Sequence, residues 1–220
     1  MASSILEQEI AQNIGLLLLP GGTSPMPFYK ELARNIVDWN NISIMATDDR
    51  VAPLDNAYSN TGMIQKKLID QITTNPQPAL MDVFPKNEMD IKKALITIES
   101  ELKNNVPKIA FLGMGSDGHT AGIFKENNIA EFCYDFQNAH EPYKRVTISM
   151  NVYLKIPTLV FLIFGLDKKE MLLRILCSDQ NDQFIPIKFL LKNGIGSKTI
   201  ICDQDAAPIG LPIGETQINF

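Results

Sequence analysis

The sequence predicts an α/β protein with a mostly parallel sheet covered by helices on both faces. Three observations predict it. Short runs along the chain are apolar throughout rather than alternating, as strands buried on both sides are. Helix-period segments separate those runs, which is what parallel crossovers require. No internal repeat and no long Gly/Ser- or Pro-rich linker breaks the pattern, so residues 1–220 read as a single domain.

"GLLLLP" (15–20) reads as the first strand and "SPMPFYKELARNI" (24–36) as a helix. "ISIMAT" (42–47) is the next strand. "SNTGMIQKKLIDQI" (59–72) follows after a loop as a helix, with Ile64, Leu68 and Ile72 four residues apart. Residues 88–102 are helical by the same test, with Ile91, Leu95, Ile98 and Leu102 on one face. "KIAFLG" (108–113), "RVTISM" (145–150) and "TLVFLIFG" (158–165) are strands. "KKEMLLRIL" (168–176) is a helix that leads on to a late strand, "KTIICD" (198–203).

Sheets of this kind bind ligands beyond the carboxyl ends of their strands, so the residues after each strand matter most. After "GLLLLP" stands "GGTSP". Ser24 can cap the next helix and Pro25 suits its first turn. Gly21 and Gly22 with Thr23 make either a phosphate-binding nest or a tight strand–helix turn. After "ISIMAT" comes Asp48-Asp49-Arg50. Such a charge cluster is either solvated or faces the crevice, where arginine offers a fork for an oxyanion or phosphate.

After "KIAFLG" comes "MGSDGHTAGIF", with Gly113, Gly115 and Gly118 giving the backbone freedom to turn and approach a ligand. Asp117 and His119 lie two apart, close enough for the carboxylate to orient the imidazole. His119 is a general base or a turn residue on this reading. Arg145, opening "RVTISM", and Lys168, opening a helix, are phosphate ligands or surface cations. His140, in "NAHEPYK", has no such context and reads as incidental.

Composition narrows the classes. A net charge of −5 argues against a general nucleic-acid binder. The early run "IGLLLLP" is far too short to span a membrane and follows Glu7 and Glu9 rather than a basic segment. That predicts neither a membrane span nor a signal peptide. Cys133, Cys177 and Cys202 are odd in number and widely spaced, and there are two histidines. No disulfide framework or zinc site is expected, and the protein is read as reduced and cytoplasmic.

Taken in order, "LPGGTSP", "TDDRVAPLDNAYSN", "FLGMGSDGHTAGIF", "RVTISMNV", "FGLDKKEML" and "DQDAAP" resemble the 6-phosphogluconolactonase family, from Leu16 to Pro208. The resemblance implies a Rossmann-like three-layer α/β/α sandwich (NagB/RpiA-like), shared with glucosamine-6-phosphate deaminases and related isomerases. It implies hydrolysis of 6-phosphoglucono-δ-lactone in the oxidative pentose phosphate pathway, without metal or cofactor. On the resemblance His119 is the base that activates water and Asp117 its partner. Arg50 stabilises the oxyanion, and Gly21, Gly22, Thr23, Arg145 and Lys168 hold the 6-phosphate. Asp48 orders the site. The implied partner is the sugar-phosphate lactone, with no nucleic acid and no membrane, for a monomer or weak homodimer.

Three features depart from the family pattern. Asp48-Asp49 stands where the family has a pair resembling Asp-Glu. Few residues precede the glycine loop, so an N-terminal strand is expected to be missing or displaced. Residues 125–141 match poorly, and a lid of altered shape is expected there. Two rivals remain. Glucosamine-6-phosphate deaminases carry a glutamate five residues after the loop histidine, where this chain has Phe124. A non-catalytic sugar-phosphate sensor would keep the phosphate residues without needing His119 or Asp117.

Overall fold

The computed structural model describes residues 2–10, 15–34, 38–124, 130–139, 141–177 and 184–208. The chain runs α1 (Ala2–Ile10), β1 (Leu16–Leu19), α2 (Met26–Leu32), β2 (Ser43–Ala46), β3 (Asp48–Arg50), α3 (Asn60–Lys67), β4 (Ala79–Leu80) and α4 (Ile91–Asn104). It continues through β5 (Ile109–Gly113), β6 (Cys133–Phe136), β7 (Arg145–Ile148), α5 (Met150–Tyr153), β8 (Thr158–Ile163), α6 (Lys169–Cys177), α7 (Pro186–Asn193) and β9 (Ser197–Cys202).

Six strands form one sheet in the order β4-β2-β1-β5-β8-β9, and every pairing is parallel. All residues of β1 and β8 are buried. Successive strand side chains point to opposite faces, so burial at every position means cover on both sides. The expected layered α/β architecture is present. From β1 the chain moves outward to β2 and β4, then returns to β5 on the other side of β1. That reversal opens a crevice between β1 and β5 at the carboxyl end of the sheet.

The helices follow from their apolar stripes. In α4, Ile91, Ile98 and Leu102 are buried and Leu95 is partly buried, while Ile96 on the other face is exposed. Ser59 caps α3 by accepting the Gly62 N–H at 3.0 Å. The predicted helix over 59–72 stops at Lys67 and continues as a 3₁₀ turn, Ile69–Gln71, because Leu68 leaves helical geometry. Ile64, Leu68 and Ile72 are buried as the spacing requires. The predicted start at Glu88 is a 3₁₀ turn, Glu88–Asp90, ahead of α4.

Ser24 makes no cap hydrogen bond. Pro25 occupies the cap position of α2, and Pro27 follows inside the first turn. The predicted helix over 24–36 is helical only to Leu32, and residues 35–37 lie outside the described residues.

The larger correction concerns "RVTISM". β7 does not join the parallel sheet. It is the middle strand of a separate antiparallel ribbon ordered β3-β7-β6, in which Asp48-Asp49-Arg50 is a strand rather than a loop. Thr47 joins the two sheets: its N–H donates to Leu19 of β1, and its carbonyl accepts from Ile148 and from the Tyr153 hydroxyl. The buried apolar residues of both sheets form one cluster.

Ahead of β1 stands α1, with Ala2 and Leu6 buried, and β4 and β9 are the sheet's edges. Of the 125–141 region, residues 133–136 form β6 against β7. Residues 125–129 and 140, and with the latter His140, lie outside the described residues. No described helix is long and apolar enough to cross a membrane.

Strand alternation divides "DDR". Asp48 and Arg50 point to one face of β3 and Asp49 to the other, where its carboxylate meets the start of α3. It accepts the N–H groups of Asn60 at 2.6 Å, Thr61 at 2.9 Å and Arg50 at 2.8 Å, and the Ser59 hydroxyl at 3.2 Å. Burial pushes the Asp49 carboxyl above its ordinary value against the pull of those donors. Asp49→Ala leaves these donors without their acceptor and is expected to cost about 2–4 kcal/mol, read as a lowered urea midpoint. A midpoint within about 0.5 kcal/mol of the parent would remove Asp49 as the tie between β3 and α3.

Candidate functional site

Four of the parallel strands, β2, β1, β5 and β8, run into segments that converge on one cleft of ≈ 210 Å³. Its walls include Gly21, Gly22 and Thr23 after β1, Asp48 and Arg50 after β2, and Gly115, His119 and Thr120 after β5. Lys168 after β8 and Arg145 from β7 complete them. Every sequence-predicted site residue except Asp117 lines this cleft, and Asp117 holds His119 from behind.

His119 is set by the turn that precedes it. Its Nδ1 lies 2.5 Å from Asp117 Oδ1, and its backbone N–H donates to the same oxygen at 3.2 Å. The imidazole packs closely against Gly115, where a Cβ would stand 2.1 Å from Nδ1 and 2.6 Å from the Asp117 carboxylate. That glycine is required by close approach. Gly113, by contrast, closes β5 with open space where a Cβ would be, so nothing in its surroundings demands glycine. The imidazole also stacks on Phe124, with ring centroids 4.2 Å apart and an angle of 27°. Burial opposes ionisation of Asp117, but the hydrogen bond and charge of His119 outweigh it and hold the carboxyl below its ordinary value.

Three of the four basic side chains lining the cleft are matched by a carboxylate. His119 has Asp117. Lys168 Nζ lies 2.7 Å from Asp167, and it closes a 3₁₀ turn, Leu166–Lys168, ahead of α6 rather than opening the helix. Arg145 is only 6% exposed. Its Nη1 donates to Asp48 Oδ2 at 3.0 Å, and its Nε and Nη2 both donate to Glu141. Asp48, also buried, accepts in addition from the Asn60 amide and the Thr47 hydroxyl.

Arg50 differs. It stands directly opposite Arg145 in the β3–β7 register, and its Nη1 donates to the neutral Oδ1 of Asn60 at 2.7 Å. Its Nε is buried with no hydrogen-bond partner. Among the described residues no carboxylate lies within ion-pair distance of its guanidinium. Arg145 is therefore a compensated cation and Arg50 an uncompensated one, a distinction that residue type alone does not reveal.

Asn60, Glu141 and Phe124 belong to the site and were missed as such. Asn60 follows the Ser59 cap within "YSN", a polar residue in the first turn of a helix whose direction was not evident. Glu141 sits four residues before Arg145, a spacing that carries no meaning outside a helix. No cluster of three metal-ligating side chains is found among the described residues.

A family model described as glucosamine-6-phosphate isomerases/6-phosphogluconolactonase matches residues 2–200. The 6-phosphogluconolactonase of Neisseria meningitidis serogroup A is 34% identical over 110 residues, 50% of this chain and 47% of that protein. The chain thus spans about half the length of that relative. The 6-phosphogluconolactonase of Thermotoga maritima is 30% identical over 167 residues, 73% of this chain and 74% of that protein. The crystal structure of the Thermotoga maritima 6-phosphogluconolactonase gives a TM-score of 0.69 at 26% identity, over 91% of this chain and 94% of that one.

The carboxylates of the site set a pH response. Burial opposes ionisation of Glu141, but the hydrogen bonds from Arg145, and then the charges of Arg145, Arg50 and His119, hold its carboxyl below the ordinary value. A carboxyl depressed in the fold contributes stability that is complete above its unfolded value, about 4.3 for glutamate. That contribution disappears as pH falls through the folded value. Glu141→Gln is therefore expected to lower the urea midpoint at pH 7 and to flatten its decline below about pH 5. An unchanged slope in the acid range would show that the Glu141–Arg145 pair carries no linkage.

Proposed function

We propose that this chain, which belongs to the glucosamine-6-phosphate isomerase/6-phosphogluconolactonase family, hydrolyses 6-phospho-D-glucono-1,5-lactone to 6-phospho-D-gluconate, the lactone-opening step of the oxidative pentose phosphate pathway. The observation that carries this reading is the Asp117–His119 pair lying over Gly115 at the mouth of the cleft. It presents an oriented imidazole to the same cleft that the Arg50 guanidinium lines without a paired carboxylate among the described residues.

In the proposed mechanism the 6-phosphate lies against Gly21, Gly22 and Thr23, within reach of Lys168, while Arg145, whose charge is met by Asp48 and Glu141, lines the cleft and holds Asp48 in place. Asp167 is exposed and holds Lys168 only loosely, so the phosphate can take over that cation. Anchoring the remote dianion places C1 over the base and draws binding energy into the reacting geometry. With Nδ1 engaged by Asp117, His119 Nε2 accepts a proton from water, and the oxygen attacks C1. Negative charge moves to the carbonyl oxygen, where Arg50 stabilises it. Collapse breaks the bond between C1 and the ring oxygen. The imidazolium returns its proton to that oxygen, which leaves as the C5 hydroxyl, so one water is consumed and no redox partner is needed.

Phe124 separates this reading from the deaminase alternative. The position where those enzymes carry a glutamate is occupied by a ring stacked on the base, which shields a face of the imidazole and cannot move a proton.

Freshly generated lactone, followed against its spontaneous hydrolysis, tests the proposal, with ammonia release from glucosamine 6-phosphate measured alongside. His119→Ala is expected to lose about 10²- to 10⁴-fold in kcat/KM. Asp117→Asn is expected to lose on the order of 10²-fold in kcat, less than a buried triad carboxylate, because Asp117 is solvent-facing. Lys168→Ala should raise KM roughly tenfold with a smaller change in kcat. Turnover untouched by His119→Ala would falsify the general-base assignment, and ammonia release would move the assignment to the deaminase.

A further inference from the structure

The geometry points to Asn60 as a positioning residue that holds the Arg50 guanidinium through a neutral acceptor, so that the one cation of the cleft with no ion-pairing carboxylate among the described residues keeps its charge for the substrate. Its identification of the ligand rests on the lactonase reading above.

The backbone N–H and both ends of the side-chain amide of Asn60 are committed. Its backbone N–H donates to Asp49 at 2.6 Å, which fixes the start of α3. Its Nδ2 donates to the Asp48 carbonyl at 2.8 Å and to Asp48 Oδ1 at 3.2 Å. Its Oδ1 accepts from Arg50 Nη1 at 2.7 Å. The orientation of the amide follows from these partners. Two acceptors on Asp48 claim the NH₂ group, so the carbonyl oxygen must face the guanidinium. A side chain with an acceptor on one end and two donors on the other can bridge a carboxylate to an arginine, and asparagine supplies both within a short reach.

The strand-end loop is shaped around this amide. A Cβ on Gly21 would stand 1.9 Å from Asn60 Oδ1 and 2.1 Å from its Cγ. Glycine at that position is thus demanded by Asn60, whatever the backbone there also offers a phosphate. Asn60 is itself 4% exposed and lines the cleft, between the segment after β1 and the guanidinium on β3.

The neutrality of the acceptor is what matters. Hydrogen-bonded carboxylates surround Arg145 from two sides and neutralise it, whereas Arg50 is tethered by a dipole. An aspartate at position 60 would match asparagine in shape and still accept from Nη1, but it would place a negative charge where the oxyanion needs the guanidinium. The charged groups facing this position are Asp48, Asp49 and Arg50 of β3, with Arg145 of β7 beyond Asp48.

The test is Asn60→Asp in the full chain, with three readouts: lactone turnover, and calorimetric binding of 6-phospho-D-gluconate and of inorganic phosphate. The expected result is a kcat lowered about 100-fold, the scale of losing one oxyanion donor, with KM within threefold. Binding of 6-phosphogluconate, whose new carboxylate would rest on Arg50, should weaken at least tenfold, while phosphate binding stays within threefold. A general structural role would move all of these together. Loss of phosphate binding in parallel with kcat overturns the inference, and so does a kcat within threefold of the parent.

If Asn60→Asp shows no cooperative urea transition, Asn60→Ser carries the test. It removes the tether without adding charge, and a kcat fall of about tenfold with phosphate binding retained is expected. An unchanged kcat, or loss of both, overturns it. A parent chain without lactone turnover defeats the lactonase reading, and the contrast between 6-phosphogluconate and phosphate then decides the role of Asn60 alone. A parent that binds neither ligand ends the inference too.

Discussion

Burying an arginine is the constraint around which this site is arranged. Arg145 is 6% exposed at the first position of β7, and a guanidinium removed from water costs several kcal/mol unless its charge and its donors are met. The fold meets both from two directions. Asp48 reaches it from β3 and Glu141 from the segment just before β7. Asp48 can do so because Thr47 carries the chain out of the parallel sheet and into the antiparallel ribbon within one residue, its backbone bonded to β1 on one side and β7 on the other. The two sheets are thus joined where a buried charge must be satisfied, and the cleft lies along that joint.

Arg50 follows from the same joint. Cross-strand register places it opposite Arg145, and like charges in that position repel. With Asp48 and Glu141 already engaged by Arg145, the repulsion is reduced without any carboxylate being placed on Arg50. Alternation along β3 turns Asp49 away from both, to the start of α3, where the donors of Ser59, Asn60 and Thr61 hold the helix that delivers Asn60. Three consecutive charged residues therefore do three different things: one neutralises a buried cation, one anchors a helix, and one remains an available cation. Shortening the second acid to aspartate suits this division, since Asp49 lies against the backbone of Asn60 at 2.6 Å and has no distance left to span.

Much of this was legible in the sequence, and the parts that were not have physical reasons. The runs at 16–19, 109–113, 158–163 and 197–202 could be read as strands of the parallel sheet because burial on both faces, which extends over most of the edge strand β9, leaves little polar alternation. That rule was misapplied at "RVTISM", where Arg145 and Thr147 alternate with Val146 and Ile148; such alternation marks an antiparallel strand, and here the polar members are buried against the site rather than exposed. β3 and β4 are three and two residues long, too short for any period to register. α7 was passed over although Pro186 in its first turn and Gly194 past its end mark it. The site residues at strand ends were found because topology concentrates ligands there. Asn60 and Glu141 were missed because their partners come from pairing across the chain, which spacing along it does not encode.

The glycine-flanked histidine shows how one short stretch can hold more than a catalytic role. The turn from Gly115 to His119 is closed by paired backbone hydrogen bonds, and Ala121 then adopts a left-handed φ of 49°, a conformation that costs a non-glycine residue energy and persists only where surroundings impose it. The Thr120 hydroxyl bonds to the Gly113 carbonyl, and Gly122 N–H bonds to the Thr147 hydroxyl on β7, so the strained residue is clamped between the two sheets. Phe124 then lies on the imidazole, with the Arg145 guanidinium 6.0 Å from the centre of its ring and Phe136 against its edge. A cation near the ring's outer side favours its electron-rich face, which ties the orientation of Phe124, and through it the base, to the buried arginine. The loop that presents His119 and the ribbon that carries Arg50 thus meet on β7, through the Thr147 hydroxyl and through the Arg145 guanidinium that the compensating carboxylates keep in place.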